Sequence, residues 1–457
     1  MDRADASFDG GGRAPPESPS VGRGSALLLL AQVSSNLGFF VAVLIVARAL
    51  EPSGRGTVAF VTVAAAILAR IALSGVDNAT IVLAAQRPDD RPALLANLYG
   101  FTVIAASSVG LVVGAAVWVS GREPAGVGHG ELAVLVGGCV AVAATDAGLA
   151  FLLGIGRPGD WTKVAALAPW IYAATLGGLA LSGALTVFLA VLAWALAHLC
   201  WAVVVWILCV RGSGLGSPRI DLLLEALRLG VRVWVGSLSR FLNFRLDQII
   251  LGLLTTDAAL GIYAIAVNLS EITLYVPGAV AAASIAAIAR ASDSVRVVQT
   301  LRTFRVLVVV TAAGGVAAVA GAPLIPLLFG AAYDHSVVPY LWLLPGAVGY
   351  AASGVFSSAL LSSSHPARSS IGPLVALVSG IVLDLVLIPS FGASGAAVAA
   401  TAAFAAGGLA SIVAYRKTEP FALRELIPRR ADLLAIRSTV RTALTRITAR
   451  RGAPPMS

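Results

Sequence analysis

Long apolar runs recur along nearly the whole chain, broken only by short clusters of Gly, Pro and charged residues. Six runs occupy residues 25–48, 57–85, 94–119, 131–154, 161–182 and 185–210, and six more occupy 227–254, 259–288, 303–329, 337–363, 369–389 and 394–415. A hydrocarbon core of about 30 Å takes about 20 apolar residues per helix, and every run is that long. The pattern predicts an all-α integral membrane protein of about 12 transmembrane helices in two pseudo-symmetric six-helix bundles, 25–210 and 227–415, joined by a basic cytoplasmic linker at 211–226.

Residues 1–24 are rich in Gly, Pro, Ser and Asp without the apolar stretch of a signal peptide, and they predict a disordered cytoplasmic leader. Residues 416–457 form a basic cytoplasmic tail in which Leu433, Ile436, Val440, Leu444 and Ile447 recur at helical spacing. Two readings of the tail stand side by side: a basic helix lying on the membrane, or a solvated segment held near anionic lipid by charge alone.

The two halves begin alike. LEPSGRGTVAF at Leu50 to Phe60 and TTDAALGIYAI at Thr255 to Ile265 are both short polar turns between apolar helices, with Gly56 and Gly261 standing 205 positions apart. That outline fits a transporter built from two related bundles with a substrate site between them.

Charge orients this frame. With the amino terminus in the cytoplasm, only Arg48, Arg55 and Arg122 fall on the outer side, while the linker, the inner loops and the tail collect the other interhelical Arg and Lys. A missed helix would scramble that bias, so it supports both the number of passes and two cytoplasmic termini. The formal net charge of +9 follows from this placement and points away from nucleic acid. The chain is 58% hydrophobic and 12% charged, with a mean hydropathy of +0.89, against about 25% charged in soluble domains.

Ionisable groups at membrane depth are costly, so those retained there are the first candidates for function. Arg70 in the second run and Arg240 and Arg245 in the seventh are candidate substrate ligands. Arg240 and Arg245 lie about 140° apart around a helix, with Asn243 between them, and would line a broad cavity rather than one stripe. Guanidinium forks suit phosphate because they bind its oxygens bidentately and keep their charge when partly desolvated. Local ion pairs, Arg70 with Asp77 and Arg245 with Asp247, are the alternative reading.

Asp77, Asp146, Asp247, Glu271 and Asp384 are candidate ion-coupling groups, or else polar groups that only pack helices. Trp161, Trp170, Tyr172, Trp194, Trp201, Trp234 and Asn268 would suit sugar, though anchoring and packing account for most membrane tryptophans. Pro277, Gly278, Pro323 and Pro326 mark bends. Cys139, Cys200 and Cys209 sit inside apolar runs and His129, His198, His335 and His365 are scattered, which predicts neither a disulfide nor a metal site. No phosphate-binding loop, nucleophile elbow or paired metal spacing is present, so the reading is of a transporter without cofactor, not an enzyme.

Three stretches resemble the polysaccharide flippase family of the multidrug, oligosaccharidyl-lipid and polysaccharide exporter superfamily. They are VARALEPSGRGTVAF (Val46 to Phe60), RLDQIILGLLTTDAALGIYAIAVNLSEI (Arg245 to Ile272), and the long segment Pro326 to Ala400 that contains VLDLVLIPSFGASGAAVAA. Asp384 stands where such flippases often carry Asn, a departure that adds a titrating group or alters packing. The resemblance implies two bundles rocking about a cationic cavity, through which the headgroup of a polyprenyl-diphosphate-linked glycan crosses to the outer leaflet. The lipid tail would stay in the bilayer and leave between helices one and eight, near Asn36 and Asn268. A polysaccharide polymerase and glycosyltransferases are the protein partners this role implies.

The nearest alternative is a multidrug and toxin extrusion antiporter, many of which carry an essential acid in helix one. Here that helix offers only the amides Gln32 and Asn36. Lipid II flippases of the superfamily usually have about fourteen helices. A membrane-embedded polymerase or ligase would show a large external loop, whereas the longest outer loop here spans only 121–130.

Overall fold

The first helix, α1 (Val21–Leu73), has 53 residues and as a straight rod would extend about 80 Å, far beyond one bilayer core. It breaks at Glu51, whose φ of 56° is a left-handed backbone, with Pro52 directly after it. The last helix, α14 (Ile371–Thr418), breaks in the same way at Gly392, φ 55°, three residues after Pro389. Each therefore supplies two passes.

The computed structural model describes residues 21–121, 124–275, 277–280, 293–363, 366–430 and 432. The leader up to residue 20, Arg122, His365 and the tail positions Leu433, Ile436, Val440, Leu444 and Ile447 lie outside the described residues. After α1 come α2 (Val76–Gln86), α3 (Arg91–Ser120), α4 (His129–Gly154), α5 (Pro158–Leu181) and α6 (Val187–Ser213). The second half holds α7 (Ile220–Leu242), α8 (Leu246–Leu254), α9 (Asp257–Ser270), α10 (Asp293–Gly321), α11 (Leu324–Phe329), α12 (Val337–Leu343) and α13 (Gly346–Leu361) before α14.

Among the described residues there is no strand. Eight helices are long and apolar enough to cross a membrane, or nine if the pair Ala331–Leu343 and Gly346–Leu361, bent by 42°, is one span. The second passes of α1 and α14, together with α7 plus α8, complete the twelve expected from hydropathy. The bundle's outer surface is apolar, with residues such as Leu111, Val119, Leu181 and Val316 exposed where lipid tails replace water.

The helices differ from the sequence reading in four places. The linker of 211–226 shrinks to 214–219, because Leu222, Ala226 and Gly230 recur every fourth residue and bury one face of α7 despite Asp221 and Glu225 on the other. The seventh pass is not continuous but interrupted at 243–245, and the eighth contains a 3-10 turn at Glu271–Leu274. Pro323 caps α11, separating it from α10.

Each end of the molecule closes on a pair of glycines. At the Glu51 end, a Cβ on Gly56 would stand 1.8 Å from the carbonyl oxygen of Asp257, and one on Gly261 would stand 1.9 Å from that of Pro52. The two turns whose outlines match in sequence thus pack directly on each other, with Ser53 Oγ donating to Asp257 Oδ2 at 2.8 Å. Arg48 adds bonds to the carbonyls of Leu327 and Leu328, both 2.7 Å.

At the opposite end, a Cβ on Gly75 would meet the Gly230 carbonyl oxygen at 2.3 Å. Arg87 grips Glu225 with two bonds of 2.7 Å, and Arg219 reaches Asp90 at 2.8 Å. Beyond α14 the chain folds back: Arg305 Nε of α10 donates to Asp432 Oδ2 at 2.7 Å and its Nη1 to the Glu425 carbonyl at 2.9 Å.

The glycine contact yields a prediction. Gly56→Ala will force the two turns apart, so a cysteine placed by Ser53→Cys will react faster with a membrane-impermeant maleimide than in the Gly56 parent. Equal labelling rates would show that this contact does not hold the Glu51 end shut.

Candidate functional site

Between the bundles lies a cavity of about 390 Å³ whose wall is built from α1, α2, α7 and α13. Arg70 enters it from the end of α1, opposite Arg240 near the end of α7, with Phe241, Phe244 and Tyr350 around them. The guanidinium of Arg70 sits 5.7 Å from the ring centre of Phe241, and Trp234 Nε1 donates to the Arg70 carbonyl at 2.9 Å.

The two arginines differ in their partners. Arg70 reaches Asp146 Oδ2 on α4 at 3.0 Å and Asp77 Oδ2 on α2 at 3.5 Å, so one cation answers two carboxylates. Asp77 also accepts from Asn78 Nδ2 at 3.1 Å. The expected local pair of Arg70 with Asp77 is present, yet Arg70 also faces the cavity. Arg240 forms no ion pair among the described residues and is exposed to the cavity.

Arg245 occupies the break between α7 and α8 and binds Glu271 through both terminal nitrogens. The expected pair with Asp247 does not form, because Asp247 accepts from Tyr263 Oη at 2.5 Å and from the Gln248 amide at 2.7 Å. Its carboxylate is spent before Arg245 can reach it. Asp384 on α14 lies within electrostatic reach of Asp247 and Tyr263, is 4% exposed, and its Oδ1 has no hydrogen-bond partner.

A second cavity, of about 450 Å³, runs inside the first bundle. Trp161, Tyr172, Trp194 and Trp201 line it with Asp146 and His198, and Arg245 reaches it from the other half. Four of the aromatic residues singled out in the sequence therefore meet at one place. Trp170 does not join them; its Nε1 donates to Ser34 Oγ at 3.1 Å.

The amides are spread out. Asn243 spends both amide hydrogens on the carbonyls of Ser239 and Pro373, each 2.9 Å, and so ties α7 to α14. Asn36 accepts from Gln32 Nε2 at 3.0 Å, and Asn268 keeps a buried Nδ2 without a partner.

With that geometry in view, comparison with known proteins becomes informative. Residues 21–290 match the family described as "Polysaccharide biosynthesis protein". This chain belongs to that family. No curated protein sequence matches it. Among solved structures it resembles the lipid II flippase MurJ in an inward closed conformation, at 15% identity and a TM-score of 0.68, over 88% of this chain and 89% of that one. It also resembles an inward-facing multidrug resistance MATE family transporter of the MOP superfamily, at 13% identity and a TM-score of 0.66, over 84% and 94% of the two chains. A MOP superfamily transporter from Pyrococcus furiosus aligns at 14% identity and a TM-score of 0.55, over 87% and 94%. At such identities the likeness shows a shared membrane transporter fold.

In this polysaccharide biosynthesis family member, one buried cation escaped the sequence reading. Arg55 was assigned to an outer loop, but the second pass begins at Pro52 and carries Arg55 inward, leaving it 6% exposed. Helical phase was the available signal. Arg55, Thr62, Ala66 and Arg70 follow spacings of seven, four and four, one face of a helix.

The pairing of Arg70 generates a test of its own. Arg70→Ala leaves the buried Asp77 and the partly exposed Asp146 without their cation, at a cost of about 1–3 kcal/mol because Arg70 itself is 38% exposed. The variant will melt well below wild type in detergent, and adding Asp77→Asn with Asp146→Asn will restore much of the loss. A triple variant no more stable than Arg70→Ala would reject the pairing as the cause.

Proposed function

We propose that this chain is a flippase that carries polyprenyl-diphosphate-linked oligosaccharides from the cytoplasmic to the outer leaflet of a bacterial cytoplasmic membrane by alternating access. The observation that carries this reading is Arg240: a guanidinium in the cavity between the bundles with no acidic partner among the described residues, sharing that cavity with Arg70 and three aromatic rings. A diphosphate supplies the oxygens such a fork binds in pairs.

With both termini cytoplasmic, the Glu51 end faces outward and the Arg87 end inward. The diphosphate docks at Arg240 while the sugars enter the cavity lined by Trp161, Tyr172, Trp194 and Trp201 and stack on their rings. Release of Arg87 from Glu225 opens the inner end, and separation of Gly56 from Gly261 opens the outer one. The polyprenyl tail stays in lipid, beside an apolar groove of about 460 Å³ along Leu269 and Ile272 of the eighth pass. Glycosyltransferases supply the cargo and a polymerase takes it over.

Asp384 is the group best suited to couple an ion to this cycle. An unpartnered carboxylate oxygen in so dry a place is tolerated only if a proton or cation visits it. A second reading, a cation or drug antiporter, draws on the excess of Asp77 and Asp146 over Arg70 in the first bundle. Arg240 speaks for an anionic cargo instead.

Arg240→Ala removes charge-assisted bonds of about 1.5–3 kcal/mol, roughly ten- to a hundredfold in affinity. In a strain lacking the native chain it will leave lipid-linked oligosaccharide on the cytoplasmic face and cut surface polymer, while Arg240→Lys keeps part of the activity. Export at wild-type level by the Ala variant would sink the proposal, and accumulation of no lipid-linked glycan on deletion would favour the antiporter.

Coupling is tested separately, with purified protein in vesicles and pH and voltage gradients imposed one at a time. Asp384→Asn is expected to abolish the response to the ion gradient while leaving downhill exchange. A response equal to wild type would remove Asp384 from the coupling path.

A further inference from the structure

Arg55 is the most completely buried cation of the first bundle that no acid answers. Its side chain is buried inside the protein at 6% exposure, its Nε has no hydrogen-bond partner, and no carboxylate comes within ion-pair distance among the described residues. Glu51, four residues earlier, is exposed and forms no ion pair with Arg55 among the described residues. The groups that face Arg55 electrostatically are two phenols, Tyr172 and Tyr333. They donate to the carbonyls of Ala190 at 3.4 Å and Ala47 at 3.3 Å, and being neutral they leave the charge uncompensated.

This cation is aimed at a space. Arg55 lines a small cavity of about 40 Å³ with Phe39, Thr62, Tyr172 and Trp194, and those four residues also line the 450 Å³ aromatic cavity. The two cavities therefore share part of one wall. Arg55 and Arg70 lie on the same face of the second pass, fifteen residues and about 22 Å apart. Arg70 stands at the cavity shared with Arg240, and Arg55 at the far end, close to the Gly56 and Gly261 contact.

A buried guanidinium without a counter-charge is destabilising, and a hydrophobic side chain of similar volume would pack there at less cost. A fold that keeps the charge gains from an anion that arrives only during the working cycle. We propose that Arg55 is an oxyanion site of the first bundle, a second cationic station at the Glu51 end that receives a phosphoryl or carboxylate group of the cargo after Arg240 has held it. The order of stations rests on the flippase reading; the anion site itself does not.

The test uses purified full-length protein in detergent, titrated calorimetrically with sodium pyrophosphate and, separately, sodium glucuronate. In the Arg240→Ala background at least one of the two anions is expected to bind saturably. Adding Arg55→Met will weaken that binding by about tenfold or more, as loss of a charge-assisted contact implies. Binding of pyrophosphate alone assigns the site to the diphosphate linker, and binding of glucuronate alone assigns it to an acidic sugar.

Arg55→Met is also expected to raise the melting temperature, because it removes an unanswered charge, whereas an arginine with a structural role would lower it on removal. Arg55→Lys keeps the charge without the fork and will bind with intermediate strength, so it serves should Arg55→Met fold poorly. Undiminished binding in Arg55→Met, or binding of neither anion once Arg240 is gone, would overturn the proposal. Export does not enter these measurements, so an error in the cargo would leave the result standing.

Discussion

A charge placed inside a hydrocarbon slab must be answered by another charge, by a dipole or by a ligand, and much of this structure is arranged around that demand. Arg70 is answered twice, by Asp77 and Asp146, and so clamps α1, α2 and α4 around one point. Arg245 is answered by Glu271 across the break between α7 and α8. Arg240 and Arg55 are the departures, and both open onto cavities. Cations whose partners are built in hold helices together, and the two without an acidic partner among the described residues line open space.

The contacts between the two halves at each end are of a different kind. At the two ends the bundles meet through backbone against backbone, Gly56 with Gly261 and Gly75 with Gly230, so closure there depends on shape with little side-chain interlocking. The polar bonds across these surfaces are Ser53 with Asp257 and Arg48 with the Leu327 and Leu328 carbonyls at one end, and Arg87 with Glu225 and Arg219 with Asp90 at the other. One buried apolar core runs through both halves, from Ala42 and Phe151 to Tyr263, Phe329 and Ile388, and a second, around Phe304, Phe356 and Tyr415, lies in the second half alone.

Much of the architecture was legible in the chain itself. Apolar run length places the passes, and the matching outlines around Gly56 and Gly261 identify two turns that prove to touch. What hydropathy could not read was amphipathic helix: the start of α7 carries Asp221, Glu225 and Arg228 on one face and passes for a linker until Leu222, Ala226 and Gly230 are seen to bury the other. Site geometry was harder still. Arg70, Arg240, Asp146 and four aromatic residues come to the cavities as their depth and type suggest. Which acid each arginine takes depends on competition that spacing does not reveal, as when Tyr263 and the Gln248 amide claim Asp247 ahead of Arg245. Arg55 was hidden because a charged residue near a Gly-Pro turn looks like loop, although its phase with Arg70 was there to be counted.

The return of the chain past α14 has a practical bearing on how the protein can be shortened. Hydropathy would put the last indispensable residue near Tyr415, where the final apolar run ends. The bidentate grip of Arg305 on Asp432, with Phe421 packed against Phe356 and Tyr415, moves that limit some fifteen residues further on. A reporter spliced in before Asp432 would strand a guanidinium 9% exposed inside α10, so a tag meant to leave the second bundle undisturbed belongs beyond that residue.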